Sequence, residues 1–445
     1  YSFLCWKQKA AYEMPKWLEF RRVLFRSVAM FATDMGNTAR FRRQISQKPQ
    51  ISLVPEPASG FELPSEQGDL SPRIAAYIAT HDLPSPCLVV DVDIVESNYL
   101  TMTHALPLAH VYYAVKANPA HEVIARLAKL GANFDTASPG EIDLCLNLGV
   151  QPSRISYGNT IKKQSDIAYA YMRGVRMFAF DSAEELDKIS ISAPGSKVYC
   201  RILVESEGAE WPLSRKFGCD APMALELLTK AIGLGLDPFG VSFHVGSQQT
   251  NLSQWDPAIA QVKTLFDAAA TRGVDLRMIN MGGGFPSRYR ADVRPLEDYA
   301  DTVMRALVKH FGAALPEMIL EPGRSLVGDA GVIQAEVVLT SKKSADDVKR
   351  WVYLDIGKFS GLAETMDEAI KYRLLTTHDG TETGPVVLAG PTCDSADILY
   401  EKTAYELPLA LQAGDKVLIL STGAYTTTYS AVNFNGFQPL EAVCI

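Results

Sequence analysis

Between residues 88 and 323, short runs rich in β-branched and aromatic residues alternate with stretches whose apolar positions recur at helical spacing. The runs fall at 111–116, 133–137, 154–157, 177–180, 198–203, 239–244, 276–281 and 317–321, with helical patterns such as 121–130, 140–148, 183–190, 221–233, 256–271 and 297–311 in the gaps. Eight strand–helix repeats in roughly 220 residues predict an α/β fold, a (β/α)8 barrel, more economically than a doubly wound sheet. After Gly331 the helical pattern thins, and strands are predicted at 332–340, 350–355, 385–389 and 415–420, with one more at 86–91 ahead of the first barrel helix. The expected layout is therefore a barrel over 92–330 and a second, mostly β domain built from 70–91 and 331–445. Residues 1–69 read as an N-terminal extension and linker.

Composition narrows the picture without changing it. The chain has 445 residues, 47% apolar and 21% charged, which places it among ordinary globular proteins and excludes disordered, collagen-like and coiled-coil classes. Charge is uneven: residues 1–50 carry a net +7, so the remainder of a chain with net −8 carries −15. An acidic body has no basic stripe to follow a phosphate backbone, so nucleic-acid binding is disfavoured. Arg21, Arg22, Arg26, Arg42 and Arg43 among aromatics fit a targeting peptide or membrane-surface helix. The favoured alternative is residues foreign to the folded unit, with Met30 and Met35 as candidate starts. Without an apolar run of about 18 residues or a signal-peptide pattern, the chain reads as soluble and cytoplasmic, with no membrane partner. Seven scattered Cys and seven His lack ligand spacing, so no metal site and no disulfide framework are expected.

The chemistry-bearing residues gather at predicted strand ends, where barrels place their sites. Lys116 closes the first run; it is either a solvated lysine at the barrel mouth or an amine held in a Schiff base to an aldehyde cofactor. The seventh run leads into Gly282-Gly283-Gly284 and the eighth into Glu321-Pro322-Gly323-Arg324. A glycine cup followed one strand later by an arginine suits a phosphate, although a triple glycine alone equally makes a tight turn. His244 ends the sixth run with Ser247 close behind, and can be structural or face a ligand. Glu321 at the end of an apolar strand needs a cation, either Arg324 or a protonated pyridine nitrogen.

Several segments together carry a resemblance: Tyr113-Ala114-Val115-Lys116-Ala117-Asn118, Phe134-Asp135-Thr136-Ala137-Ser138, His244-Val245-Gly246-Ser247, Gly282-Gly283-Gly284-Phe285-Pro286, Glu321-Pro322-Gly323-Arg324, Gly390-Pro391-Thr392-Cys393-Asp394 and Gly423-Ala424-Tyr425-Thr426. In this order, across about residues 70–445, they resemble the pyridoxal-phosphate-dependent basic amino acid decarboxylases of the alanine-racemase fold. The resemblance implies pyridoxal 5′-phosphate as cofactor and Lys116 as the lysine that carries it. It implies Ser247, Gly283, Gly284, Arg324 and Tyr425 around the phosphate, His244 stacked on the ring, Glu321 at the ring nitrogen and Asp135 close to lysine and ring. Cys393 would reprotonate the α-carbon and Asp394 would grip the distal ammonium of a basic amino acid. In such enzymes both reach across a homodimer, so each site would be composite, with Lys216 and Asp397 matching a cross-subunit ion pair.

Cys393-Asp394-Ser395-Ala396-Asp397 resembles the ornithine and lysine/ornithine decarboxylases, whereas diaminopimelate decarboxylases typically carry Glu after that Cys. Between Tyr353 and Arg373 the chain departs from the animal enzymes and resembles the bacterial branch. The acidic residues there, Glu364, Asp367 and Glu368, are either a solvated helix face or an anionic rim for a diamine-like tail, with Glu364 and Asp367 as substrate-binding candidates. The implied reaction is decarboxylation of L-ornithine, and of L-lysine as a further substrate, to putrescine or cadaverine in polyamine biosynthesis. The alternatives are diaminopimelate decarboxylation, a racemase of the same barrel, which would need a second base, and a partner-binding pseudoenzyme, which would be expected to have lost the lysine or phosphate grip.

Overall fold

The computed structural model describes residues 70–445 apart from Ser206, 212–215, 433–434 and 436–437. The predicted extension and linker, 1–69, lie outside the described residues except for the adjoining Leu70 onward. The strands, in chain order, begin with β1 (Cys87–Val90), followed by β2 (Ala109–Ala114), β3 (Asn133–Thr136), β4 (Ile155–Tyr157), β5 (Met177–Phe180) and β6 (Lys197–Arg201). A short hairpin partner β7 (Ala209–Trp211) precedes β8 (Asp237–Ser242), β9 (Ser247–Gln249), β10 (Met278–Asn280) and β11 (Glu317–Leu320). β2, β3, β4, β5, β6, β8, β10 and β11 pair in parallel and close on one another, each helical gap supplying a helix outside them. This is the predicted (β/α)8 barrel.

Period-two alternation fills that barrel. Tyr112, Met177, Ala179, Tyr199, Phe239, Met278 and Ile319 form one buried cluster, each a single residue out of step with side chains that face the helices, such as Tyr113, Phe178 and Ile279. The interior is thus a packed plug and not a pore, so ligands are left to the strand ends. The β3 end shows how the sequence sets the loops: Ser138 Oγ accepts from Glu141 N at 3.3 Å while Glu141 Oε2 accepts from Ala137 N at 2.7 Å, a reciprocal cap that starts helix Pro139–Asn147 directly after the strand.

The chain then builds β12 (Gly331–Ser341), β13 (Arg350–Leu354), β14 (Leu374–Thr376), β15 (Thr383–Ala389), β16 (Ile398–Pro408), β17 (Lys416–Leu420) and β18 (Glu441–Cys444). β12 organises this sheet: its first residues pair with β1 and β17, and its last, past an irregularity at Val337/Leu339, with β13. β1 also pairs in parallel with β18. Segments on both sides of the barrel sequence therefore share one mostly β layer. Helix Pro72–Thr80, β14, β16 and β18 carry no counterpart among the predicted elements. Lys116 is also corrected: β2 ends at Ala114, and the lysine sits in the 3₁₀ turn Val115–Ala117, fastened by Ala114 N to Pro322 O at 3.0 Å and Tyr113 Oη to Asn118 O at 2.9 Å. Among the described residues no helix is long and apolar enough to cross a membrane, and no cluster of three His, Cys, Asp or Glu is placed to hold a metal ion.

Candidate active site at the barrel mouth

Five strand ends and one loop of the β-rich layer deliver Lys116, Asp135, His244, Ser247, Gly283, Gly284, Glu321, Arg324 and Tyr425 to the lining of a single cavity. Lys116 is open to solvent through that cavity, yet protein surrounds it at depth. Burial pulls its amine down, but Tyr425, Asp135 and Glu321 outweigh burial and hold it above the ordinary lysine range. Burial, reinforced by Glu321, pushes Asp135 well above the usual carboxylate range; burial also raises Glu321, opposed by Asn280, Lys116 and Arg201. Glu321 is aimed by Asn280, whose Nδ2 donates to Glu321 Oε1 at 2.5 Å while its Oδ1 accepts from Gly282 N at 2.9 Å.

His244 is held neutral. Burial, followed by Arg201 and Lys116, drops its pKa well below the ordinary value, and Nδ1 accepts from Gly246 N at 2.9 Å, which leaves the proton of the neutral ring on Nε2. Tyr425 adopts φ 59°, a conformation that non-glycine residues rarely take, and its N–H donates to Ala117 O at 2.8 Å. Its neighbour Thr428 donates through Oγ1 to Lys116 O at 3.0 Å. The Tyr425 loop is thus pinned to the backbone of the Lys116 turn.

Residues 92–328 match the family model of the pyridoxal-dependent decarboxylases, pyridoxal binding domain. The chain belongs to this family. It is 36% identical over 357 residues to the lysine/ornithine decarboxylase of Selenomonas ruminantium, covering 80% of this chain and 88% of that protein. Identity to the ornithine decarboxylase of Caenorhabditis elegans is 35% over 381 residues, covering 82% and 88%. The crystal structure of the lysine/ornithine decarboxylase from Vibrio vulnificus complexed with cadaverine superposes with a TM-score of 0.75 at 30% identity, covering 84% of this chain and 97% of that one.

The decarboxylase uses pyridoxal 5′-phosphate, and its glycine loop fits a phosphate group. Gly284 has φ 97°, and an added Cβ would lie 2.6 Å from Gly246 O; at Gly283 it would lie 2.6 Å from Glu321 O. Only glycine lets this loop pack so close to the backbone of the loops beside it, both residues lining the cavity without a side chain to fill it.

The other candidate residues lie outside the cavity lining. Cys393 and Asp394 are exposed on the loop before β16; Cys393 Sγ is 3.6 Å from Asn435 Oδ1, and Asp394 Oδ1 accepts from Ala396 N at 2.8 Å. The anionic rim is corrected. Glu364 is buried, 5% exposed, and faces the Arg324 guanidinium instead of an open rim. Glu368 turns its carboxylate onto the N–H groups of Glu401, Lys402 and Thr403. Asp367 alone of the three is exposed, at φ 51°, and is outside the cavity lining. Asp397, matched to a cross-subunit pair with Lys216, is 2% exposed and accepts from Lys358 N at 2.8 Å and Thr392 Oγ1 at 2.7 Å in its own chain.

Three residues around the site, Asn280, Tyr289 and Arg201, were not read from the sequence, and Glu364 was read in another role. Asn280, Tyr289 and the buried role of Glu364 depend on contacts between distant segments. Arg201, at the end of β6, had a signal: it is a charge closing an apolar strand, the reasoning applied to Glu321. Burial lowers the Arg201 pKa, with Glu321, Asp181 and Asp135 pulling the other way.

Proposed function

We propose that this decarboxylase removes CO2 from L-ornithine, and also from L-lysine, to give putrescine or cadaverine for polyamine biosynthesis, as a cytoplasmic homodimer with composite sites. The observation that carries the reading is the union in one cavity of the Lys116 amine, the Asn280-held Glu321 carboxylate and the Gly283/Gly284/Ser247/Arg324 cradle. Relatives named ornithine and lysine/ornithine decarboxylase support the substrate class. Bound pyridoxal phosphate supplies an aldehyde for amines and a ring that takes up the electrons left when CO2 departs.

Around it, each side chain has a defined task. Lys116 would hold the cofactor through its amine. Glu321 holds a proton on the ring nitrogen, with Asn280 fixing the carboxylate. Neutral His244 would face the ring without adding charge against it. Ser247, Arg324, Tyr425 and the backbone of Gly283 and Gly284 grip the phosphate. Cys393, from the other subunit, delivers a proton to the α-carbon, and Asp394 receives the distal ammonium. Their exposure on the β-rich layer, away from the cavity of their own chain, supports service to a partner's site.

Carbon dioxide release should be compared across L-ornithine, L-lysine, L-arginine and meso-diaminopimelate. Ornithine and lysine are expected to turn over far faster than diaminopimelate, whose second carboxylate would meet Asp394 as a like charge. Comparable turnover of diaminopimelate would reverse the assignment.

A further inference from the structure

The Arg324 side chain is 3% exposed and both edges of its guanidinium are occupied by identified partners. At the fork, Nη1 donates to Glu364 Oε2 at 2.8 Å and Nη2 to Glu364 Oε1 at 2.5 Å, a bidentate pair. Nη1 also donates to Tyr289 Oη at 2.6 Å. The other edge points Nε and Nη2 at Ser247 Oγ, at 3.3 and 3.2 Å, and Ser247 lines the cavity. Glu364 is 5% exposed in the turn Ala363–Glu368 and is fixed there by its backbone, Ile370 N donating to Glu364 O at 3.0 Å. The Arg324 guanidinium is therefore covered by the Glu364 carboxylate on the side away from Ser247.

We propose that Glu364 is the built-in counter-ion of the phosphate site, which cancels the charge of Arg324 and thereby limits how tightly the cradle holds a phosphate dianion. The inference rests on the reading of Gly283, Gly284, Ser247 and Arg324 as the phosphate grip. A guanidinium buried without a partner is costly to the fold, and Glu364 removes that cost. The same carboxylate repels a phosphate at the adjoining edge, so the grip relies on hydrogen bonds more than on net charge. Glu210, whose pKa is raised by burial and lowered by Lys371 and Arg324, adds a second acid to this neighbourhood. A side chain that merely packed the turn would have no such effect on anions.

The test is Glu364→Gln, which keeps the shape and deletes the charge. Two readouts apply: equilibrium titration with pyridoxal phosphate, and the thermal shift produced by inorganic phosphate alone. Both dissociation constants are expected to fall about tenfold, the order set by one unit charge a few ångströms from the phosphate in a partly screened site. Melting without phosphate should drop at the same time. Unchanged or weaker binding of both probes by folded Glu364→Gln would overturn the proposal and leave Glu364 a positioning residue for Arg324. If that variant does not fold, Glu364→Asp, whose stem is one methylene shorter and draws the carboxylate back from Arg324 and the cradle, carries the test, with tighter phosphate binding expected and weaker binding contradicting it. Failure of the underlying cofactor reading shows separately, as wild-type protein that forms no adduct on Lys116.

Discussion

Cys393 presents its thiol to solvent within its own chain, so truncating it removes little packed volume there and the effect of Cys393→Ala should be chemical. After CO2 leaves, a proton can be delivered to the α-carbon or to the aldehyde carbon of the cofactor, and the position of the donor decides which. Cys393→Ala is expected to keep releasing CO2 while forming less amine per CO2, with the balance appearing as aldehyde and pyridoxamine phosphate. Chromatography after extended turnover reads this directly; stoichiometric amine from a folded variant would remove the thiol from the role. Residues whose task depends on strand position, such as Lys116, His244 and Glu321, were legible because a polar group closing an apolar run is costly unless it is used. Glu364 was misread because its partner lies 40 residues away in sequence, and no local pattern distinguishes a buried acid from a solvated one.

Between β15 and β16, Val386 pairs with Tyr405 and Leu388 with Tyr400, so the residues between them bulge out of the ladder and leave backbone donors without strand partners. Glu368 supplies the acceptors: its carboxylate takes the N–H of Glu401, Lys402 and Thr403 at 2.8, 2.7 and 2.6 Å. Burial raises its pKa, but these hydrogen bonds prevail and draw it down to about 2. A carboxyl depressed in the folded state contributes stability above the ordinary value of 4.5 and loses it as pH falls towards 2. Glu368→Gln is expected to lower the unfolding free energy by about 1 kcal/mol near pH 7, a figure reduced for solvent screening. Denaturant melts should show the gap to wild type closing as pH drops below 4.5; a gap independent of pH would refute the clamp. The same bulge explains why β16 escaped notice in the sequence: its alternation breaks where the extra residues enter. The barrel strands carry no such break along most of their length, and all eight were legible.

At the scale of the molecule, Cys393 and Asp394 sit on the β-rich layer outside the cavity lining, and the proposed reading completes the site with a second copy of the chain. Mixing inactive Lys116→Ala with Cys393→Ala, which forms less amine per CO2, is expected to raise the amine formed per CO2 above that of Cys393→Ala alone, because one of the two sites in a mixed dimer is then built from intact residues. No recovery after demonstrated subunit exchange would place both residues in one chain's site. The two-layer architecture was legible from the change of periodicity at Gly331, but β18 and the pairing of β1 with both β12 and β18 were not, since they depend on contacts across most of the chain. The central claim is that Lys116 carries the cofactor at the mouth of this barrel. Borohydride reduction of the purified protein, followed by proteolysis and mass spectrometry, tests it most directly. The expected result is loss of the yellow colour with a pyridoxyl-phosphate mass on the peptide containing Lys116, absent in Lys116→Ala; a reduced protein without that adduct, or with it on another lysine, would contradict the account.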